Sequence, residues 1–253
     1  MNHFVKKHPY AASVLAAVLC VVFVSFGSAS AQILALDNNK AYLVMGAACI
    51  FSALVGILLI KLMGRSLAEF GFQKTAPASW GKVWHFLPLL LLEVLPLLFF
   101  RLQAAANPLI LLLFVVGVGF NEEIYFRGLA YQFLCSKGVK LAVIWSSALF
   151  GVLHSANLLG GANPLYTALQ IAFAFLVGLV LSAVVALTGS LWVPILWHAT
   201  HDYISIQTGD TLDAKALLLL ALQTVVLLVY CVGLWRKLRL KKEIPSSPEP
   251  VDF

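Results

Sequence analysis

Charged side chains are scarce in this chain of 253 residues. Asp, Glu, Lys and Arg make up 11% of it, whereas hydrophobic residues make up 61%. Soluble domains carry about 25% charged and about 45–50% apolar residues. Because so few charges do not cover a water-facing surface of this size, the composition excludes a soluble globular protein. It predicts an all-α integral membrane protein, built as a polytopic helical bundle.

Cysteine is also sparse, and no two cysteines are close together in the sequence. The four are scattered through apolar stretches, at Cys20, Cys49, Cys135 and Cys231. No C-x-x-C pair is present, so the sequence supports neither a disulfide framework nor a thiolate zinc site.

Long apolar runs are abundant, and a bilayer core of about 30 Å needs roughly 20 apolar residues for each helix. This criterion predicts eight spans, at Ala11–Phe26, Ala41–Met63, Val83–Phe100, Pro108–Leu134, Leu141–Leu153, Leu165–Leu187, Leu191–Ile206 and Ala216–Leu234. The spans divide the chain into an N-terminal set of transmembrane helices (1–107), a helical core (108–207), and a last helix with a basic, Pro-rich tail (208–253).

The basic residues test this arrangement, because Lys and Arg accumulate in cytoplasmic loops. With a cytoplasmic N-terminus, thirteen of the 17 fall inside, namely Lys6, Lys7, Lys61, Arg65, Lys74, Lys82, Lys137, Lys140, Arg236, Lys237, Arg239, Lys241 and Lys242. Lys40, Arg101 and Lys215 fall outside, and Arg127 lies within a span. The sequence thus predicts a multi-pass protein of the plasma membrane with both termini in the cytoplasm. The basic charge then needs no nucleic acid as a partner.

The first span has two interpretations. Its basic start, apolar run and small residues Ala29-Ser30-Ala31 resemble a secretory signal peptide with a cleavage site. We favour a retained helix, and cleavage would leave the other seven spans in the same orientation.

Polar residues within the spans mark the place to look for chemistry, because each membrane-buried charge costs roughly 2.5–3.5 kcal/mol on insertion scales. Glu123 and Arg127 are four apart, in the favourable order for an ion pair on one helix. That pair suits either an organising role or a purely structural clasp. Glu122 points about 100° away from Glu123 and has no local cation, so it suits either a general base or a helix-end carboxylate that faces water.

Two later spans carry histidines. His154 shares a helix face with Phe150 and Asn157, and His198 shares one with Asp202. A histidine one turn from a carboxylate can support a proton relay or supply two metal ligands. His201 is interpreted as a secondary or interfacial residue.

These residues form three motifs that resemble the CAAX prenyl endopeptidase and bacteriocin-processing family of intramembrane proteases, also called the Abi family. Glu-Glu-x-x-x-Arg stands at 122–127, Phe-x-x-x-His at 150–154, and His-x-x-x-Asp at 198–202. Each motif alone is weak, but the three occur in order, each on its own apolar helix. The resemblance covers about 120–203.

The resemblance implies a helical membrane core in which water cleaves a peptide bond of a membrane-associated peptide or protein. Glu122 is then the base, assisted by His154, while His198 and Asp202 stabilise the oxyanion and Glu123 and Arg127 organise the site. One position departs from the prenyl-protein proteases, which typically carry Asn where this chain has Asp202. Because an ionised Asp does not donate a hydrogen bond, His198 is expected to donate, with Asp202 orienting it.

Three alternatives remain open from the sequence. A zinc ion held by Glu122, His154 and His198 would also activate water, although a metal-free glutamate mechanism without cofactor is favoured. Intramembrane Glu, His and Asp also mark proton paths in transporters. A non-catalytic membrane scaffold is the third alternative.

Overall fold

The computed structural model describes residues 2–75, 83–209 and 211–243, and all regular structure within these ranges is helical. The α-helices are α1 (Asn2–Lys7), α2 (Pro9–Ile33), α3 (Asn38–Leu62), α4 (Leu87–Phe99), α5 (Pro108–Glu123), α6 (Tyr131–Leu134), α7 (Val139–Leu153), α8 (Pro164–Thr188), α9 (Trp192–Thr208) and α10 (Ala214–Glu243). A π-helix (Ile124–Ala130) joins α5 to α6, and 3₁₀ turns occupy Ala68–Phe70, Val83–Phe86, Cys135–Lys137 and His154–Gly160.

Six helical segments in the described ranges are long and apolar enough to cross a membrane. They are Pro9–Ile33, Asn38–Leu62, Pro108–Lys137, Val139–Gly160, Pro164–Thr188 and Ala214–Arg239. The other two predicted spans correspond to shorter helices, α4 with 13 residues and α9 with 17. The chain is therefore an all-α, multi-pass membrane bundle. The count of eight crossings stays a prediction.

The helices that carry the polar residues begin at clear start signals. Asn107 and Asn163 each precede a proline, and each asparagine oxygen accepts a hydrogen bond from a backbone N–H of the first turn of α5 or α8. Proline suits the first helical position, because its missing N–H is not needed there and its φ is already helical. The Asn-Pro pairs thus fix where α5 and α8 start.

Glycine allows α5 and α9 to approach closely. A Cβ on Gly119 would lie 3.0 Å from the carbonyl oxygen of Ile195 and 3.3 Å from the amide nitrogen of Ala199. Gly119 shares a helix face with Glu123, four residues on, and Ile195 and Ala199 flank His198. The missing side chain at Gly119 therefore brings the glutamates of α5 up to the histidine of α9.

Loop contacts give the bundle two distinct ends. At one end, the amide of Leu191 donates to the carbonyl of Gly71 at 2.8 Å. At the other, the amide of Gln103 donates to the carbonyl of Gln207 at 2.7 Å, and the amide of Asn107 to Asn39 Oδ1, also at 2.7 Å. The first end holds the starts of α2 and α7 and the ends of α3 and α10. We call it the basic face, because most of the described Lys and Arg residues lie there.

The described Lys and Arg residues at the helix ends divide between these two faces as the sequence predicts. The opposite face has Lys40, Arg101 and Lys215, and the remainder lie toward the basic face. Lys82, which is assigned to the same side by sequence, and the tail from position 244 onward lie outside the described residues.

Candidate active site

Three helices place the three motifs beside one another. Glu122 and Glu123 end α5, where α5 packs between α3 and α9. Phe150 lies in the last turn of α7 and His154 begins the 3₁₀ turn that follows. His198, in the middle of α9, is the side chain on which the two glutamates converge.

Glu123 is the buried centre of a clamp. Its Oε1 accepts hydrogen bonds from Arg127 Nη1 at 2.8 Å and from His198 Nδ1 at 2.8 Å. The side chains of Glu123 and Arg127 are both 0% exposed. A buried charge is tolerated only when it is paired, so the two ions hold each other in place and fix the imidazole between them. The ion pair expected from the i, i+4 spacing is thus present, and it also orients His198.

The other nitrogen of His198 faces two further carboxylates. Nε2 lies 3.7 Å from Glu122 Oε2 and 3.7 Å from Asp202 Oδ2. These distances are too long for direct hydrogen bonds, so neither carboxylate holds this nitrogen. The two carboxylates are also the accessible ones, with side chains 17% and 26% exposed for Glu122 and Asp202.

Phe150 links the motifs through its ring. The guanidinium carbon of Arg127 lies 4.0 Å from the ring centroid, a cation–π distance. The imidazoles of His154 and His198 contact the same ring edge-on, with centroids 4.8 and 5.9 Å away. One buried aromatic ring therefore sets the positions of an arginine and two histidines.

The tautomer of His154 follows from its hydrogen bond. Its Nδ1 lies 2.7 Å from the carbonyl oxygen of Phe150, which only accepts, so Nδ1 carries a proton. The neutral ring then has a free lone pair on Nε2, as a proton acceptor needs. Asn157 lies further away and is exposed, and its amide donates to Gln170 Oε1 at 2.8 Å.

A cavity of about 250 Å³ opens beside these groups, and its wall includes His154, His198 and Asp202. The walls otherwise mix apolar side chains with hydroxyl and amide groups from α8, α9 and α10. Glu122 is not among the described lining residues and joins the group through His198. The cavity therefore brings together three of the four predicted catalytic groups, and Glu122 adjoins it only through His198.

A second pair beside the cavity was not assigned a role from the sequence. Glu93 of α4 is buried, and its Oε1 lies 3.1 Å from His201 Nδ1. The His201 ring is stacked between Trp197 and Phe173, with centroids 4.9 and 5.9 Å away. The separation of 108 positions between the partners gives no helical-spacing signal that would identify the pair.

The π-helix is the other feature that the motifs do not reveal. It begins directly after Glu123 and contains Arg127, and its Tyr125 hydroxyl donates to the carbonyl of Ser52 in α3 at 3.0 Å. π-helical turns are rare and occur often at functional sites.

Glu122, His154 and His198 are donors of the kind that zinc prefers, and both histidines have Nδ1 engaged by an oxygen, as metal-bound histidines usually do. Within the described ranges, however, no group of three or more His, Cys, Asp or Glu side chains is gathered closely enough to hold an ion. The metal-free mechanism stays a prediction from the sequence.

Comparison with known proteins gives one match. Residues 104–204 match the family model described as Type II CAAX prenyl endopeptidase Rce1-like. No curated protein and no solved structure matches the chain. The matched segment begins just before α5 and ends two residues after Asp202, so it contains all three motifs. The comparison therefore confirms, over residues 104–204, the resemblance to the CAAX prenyl endopeptidase family that these motifs predict.

Proposed function

We propose that this protein is an intramembrane endopeptidase that hydrolyses a peptide bond of a membrane-associated protein or peptide, with Glu122 activating the attacking water. The family match supports a membrane protease. The observation that carries the proposal is the arrangement around His198, where one buried carboxylate fixes the ring and two accessible carboxylates face its other nitrogen.

The two adjacent glutamates have different surroundings, and these assign their roles. Glu123 already accepts hydrogen bonds from Arg127 and His198 and is fully buried. Its charge is already paired with Arg127 and stabilises the position of His198. Glu122 is partly exposed and lies 3.7 Å from the nearest imidazole nitrogen, too far for a direct hydrogen bond, so its carboxylate is open to a water molecule. Glu122 is thus the carboxylate with the capacity to accept a proton from water.

Hydrolysis then proceeds in two steps. Glu122 takes a proton from water as the water oxygen bonds to the carbonyl carbon, and the carbonyl oxygen becomes an oxyanion. As the oxyanion re-forms the carbonyl and the C–N bond breaks, Glu122 gives its proton to the leaving amine, and His154 Nε2 accepts the proton of the new carboxylic acid.

His198 Nε2 is the group available to stabilise the oxyanion. It donates only when the ring carries both protons, since Nδ1–H is already bonded to Glu123. Once Glu122 has taken its proton, the carboxylates of Glu123 and Asp202 remain within 3.7 Å to balance the charge of that form. The orienting contact that sequence reasoning gives to Asp202 is made by Glu123 in the structure. Asp202 faces the reactive side of the ring.

Cleavage of a membrane-embedded reporter peptide by the purified protein tests the proposal. Glutamine keeps the shape of Glu122 but cannot act as a base, so Glu122→Gln should lower turnover by at least about 10²–10⁴-fold. Glu69→Gln, which changes an exposed glutamate outside the site, is the matched control and should cleave normally. Near-normal turnover in Glu122→Gln would move the base to Glu123 or overturn the assignment as an enzyme. If the wild type cleaves no peptide but conducts protons, and Glu122→Gln abolishes that proton flux, the result would favour a transporter.

A further inference from the structure

The cavity beside the candidate active site extends in one direction. At its deep end lie Phe150, Trp197 and His198. From there its wall continues along the second half of α9 to Thr208 and Gly209, and then to Thr211 in the following loop. Its path therefore runs from the middle of the bundle to the loop that joins α9 to α10.

The other helices that line the cavity do so with the ends that lie at this same face of the bundle. The wall takes Phe100 from the end of α4, Tyr166 from the start of α8 and Leu217 from the start of α10. All three positions lie at the opposite face, as does the contact between Gln103 and Gln207. Within the described ranges, the segments of α4, α8, α9 and α10 nearest the basic face contribute no lining residue.

The charges identify which side of the membrane this is. The basic face holds most of the described Lys and Arg residues, and the opposite face holds Lys40, Arg101 and Lys215. Loops rich in Lys and Arg stay in the cytoplasm during insertion. The basic face is then cytoplasmic, and the cavity leads away from it.

We propose that the active site receives its substrate from the extracytoplasmic side of the membrane, so that the substrate is a translocated peptide segment rather than a cytoplasmic lipid-modified C-terminus. The direction of access rests on the cavity and the charges, whereas the identification of the entering peptide as a substrate rests on the proposed function. The wall contains uncharged hydrogen-bonding groups, including Tyr166, Gln170, Ser205 and Gln223, together with leucines. Such a wall suits an extended, uncharged peptide leaving the bilayer.

Cysteine labelling with a membrane-impermeant thiol reagent tests the direction of access without any activity. Thr211→Cys reports on the mouth of the cavity and Ser205→Cys on its interior. Lys140→Cys, at the exposed start of α7, is the matched control on the basic face. Wild-type protein provides the background, since Cys20, Cys49 and Cys231 are buried and Cys135 is half-buried. Each variant is labelled in right-side-out and in inverted membrane vesicles.

We expect Thr211→Cys and Ser205→Cys to react in right-side-out vesicles, and Lys140→Cys to react only in inverted ones. Labelling of Ser205→Cys from the inverted side, alone or together with the outer side, would overturn the proposal. If labelling follows the expected pattern while wild-type protein cleaves no reporter peptide, the proposed function fails and the direction of access stands. With an active protein, modification of Ser205→Cys from the outer side should abolish cleavage, and continued full activity would overturn access by this route.

Discussion

Two histidines on α9, three residues apart, are each fixed by a glutamate from another helix, but their surroundings differ. His198 meets three carboxylates, and the glutamate that fixes its ring is also bound by Arg127. His201 meets one carboxylate, Glu93, and is otherwise enclosed by two aromatic rings. The surroundings of His198 can bind water and stabilise changing charge, whereas those of His201 restrain a ring. The proposed function thus gives the same residue type, with the same kind of hydrogen bond, a chemical role in one place and a structural role in the other.

Replacement of His198 and of His201 should have the most different effects on turnover. His198→Ala removes the ring that faces the reacting groups, and turnover should fall by at least about 10²–10⁴-fold, as for loss of a positioned proton-transfer group. His201→Phe keeps the stacking on Trp197 and should retain most of the activity. Reporter-peptide cleavage at equal amounts of folded protein measures both. Equal losses in the two variants would mean that the two histidines have the same role.

The stability of the group around His198 depends on the buried ion pair of Glu123 with Arg127. Arg127→Met leaves the Glu123 carboxylate buried without its cation and should destabilise the fold by about 3–5 kcal/mol. Arg65→Met breaks the exposed i, i+4 pair with Glu69 and should change stability little. Thermal unfolding in one detergent compares them. A small effect of Arg127→Met would show that Phe150 and His198, not the ion pair, hold the clamp.

The approach of α5 to α9 should matter for the His198 cluster. Gly119→Ala adds a Cβ 3.0 Å from a backbone oxygen, and overpacking of this kind costs about 1–3 kcal/mol. It should also lower activity by moving Glu122 away from His198. Gly233→Ala in α10 is the control, because its added Cβ meets nothing within 4 Å among the described residues. That variant should be as stable as wild type or more so. Equal behaviour in melting and cleavage assays would remove the argument that Gly119 positions the site.

The Glu93 and His201 pair should have a smaller effect. Glu93→Gln replaces a charged acceptor with a neutral one and should cost about one hydrogen bond, about 0.5–1.5 kcal/mol. Through the position of His201, kcat/KM should fall by at most about tenfold. A loss as large as that of Glu122→Gln would place the pair among the reacting groups.

Chelation is expected to have the smallest effect of all. If Glu122 activates water by itself, a chelator should leave cleavage of the reporter peptide unchanged. Activity lost on chelation and restored by zinc, with no unfolding, would instead make His198 and His154 metal ligands. The comparison between the clusters would then become one between a metal site and a structural pair.

Local spacing was enough to predict much of this architecture. Apolar run length located the helices, and the i, i+4 rule located the pair of Glu123 with Arg127. The contact of Glu123 with His198 spans 75 positions, and that of Glu93 with His201 spans 108. No helical period relates such residues. They meet only because helix packing, with Gly119 at one crossing, brings their helices together.

The π-helix was not predictable for a different reason. Apolar run length, which located this span, does not record a local change of hydrogen-bond pattern. The shortness of α4 was also missed, because an apolar stretch at Val83–Phe100 is long enough for a span even though its first turn is 3₁₀ and Pro96 lies near its end.

The π-helix at Ile124–Ala130 also makes chain length a constraint in its own right. Each i→i+5 ring holds one residue more than the α-helical ring, so the segment behaves as an α-helix with an insertion. Deleting one residue between Glu123 and Arg127 would restore an ordinary α-helical ring, and α6 would keep its register. Arg127 would then stand three positions after Glu123 instead of four, about 100° around the helix axis from its present direction. This stretch should consequently tolerate conservative substitutions far better than insertions or deletions, even where the side chains themselves make no specific contact.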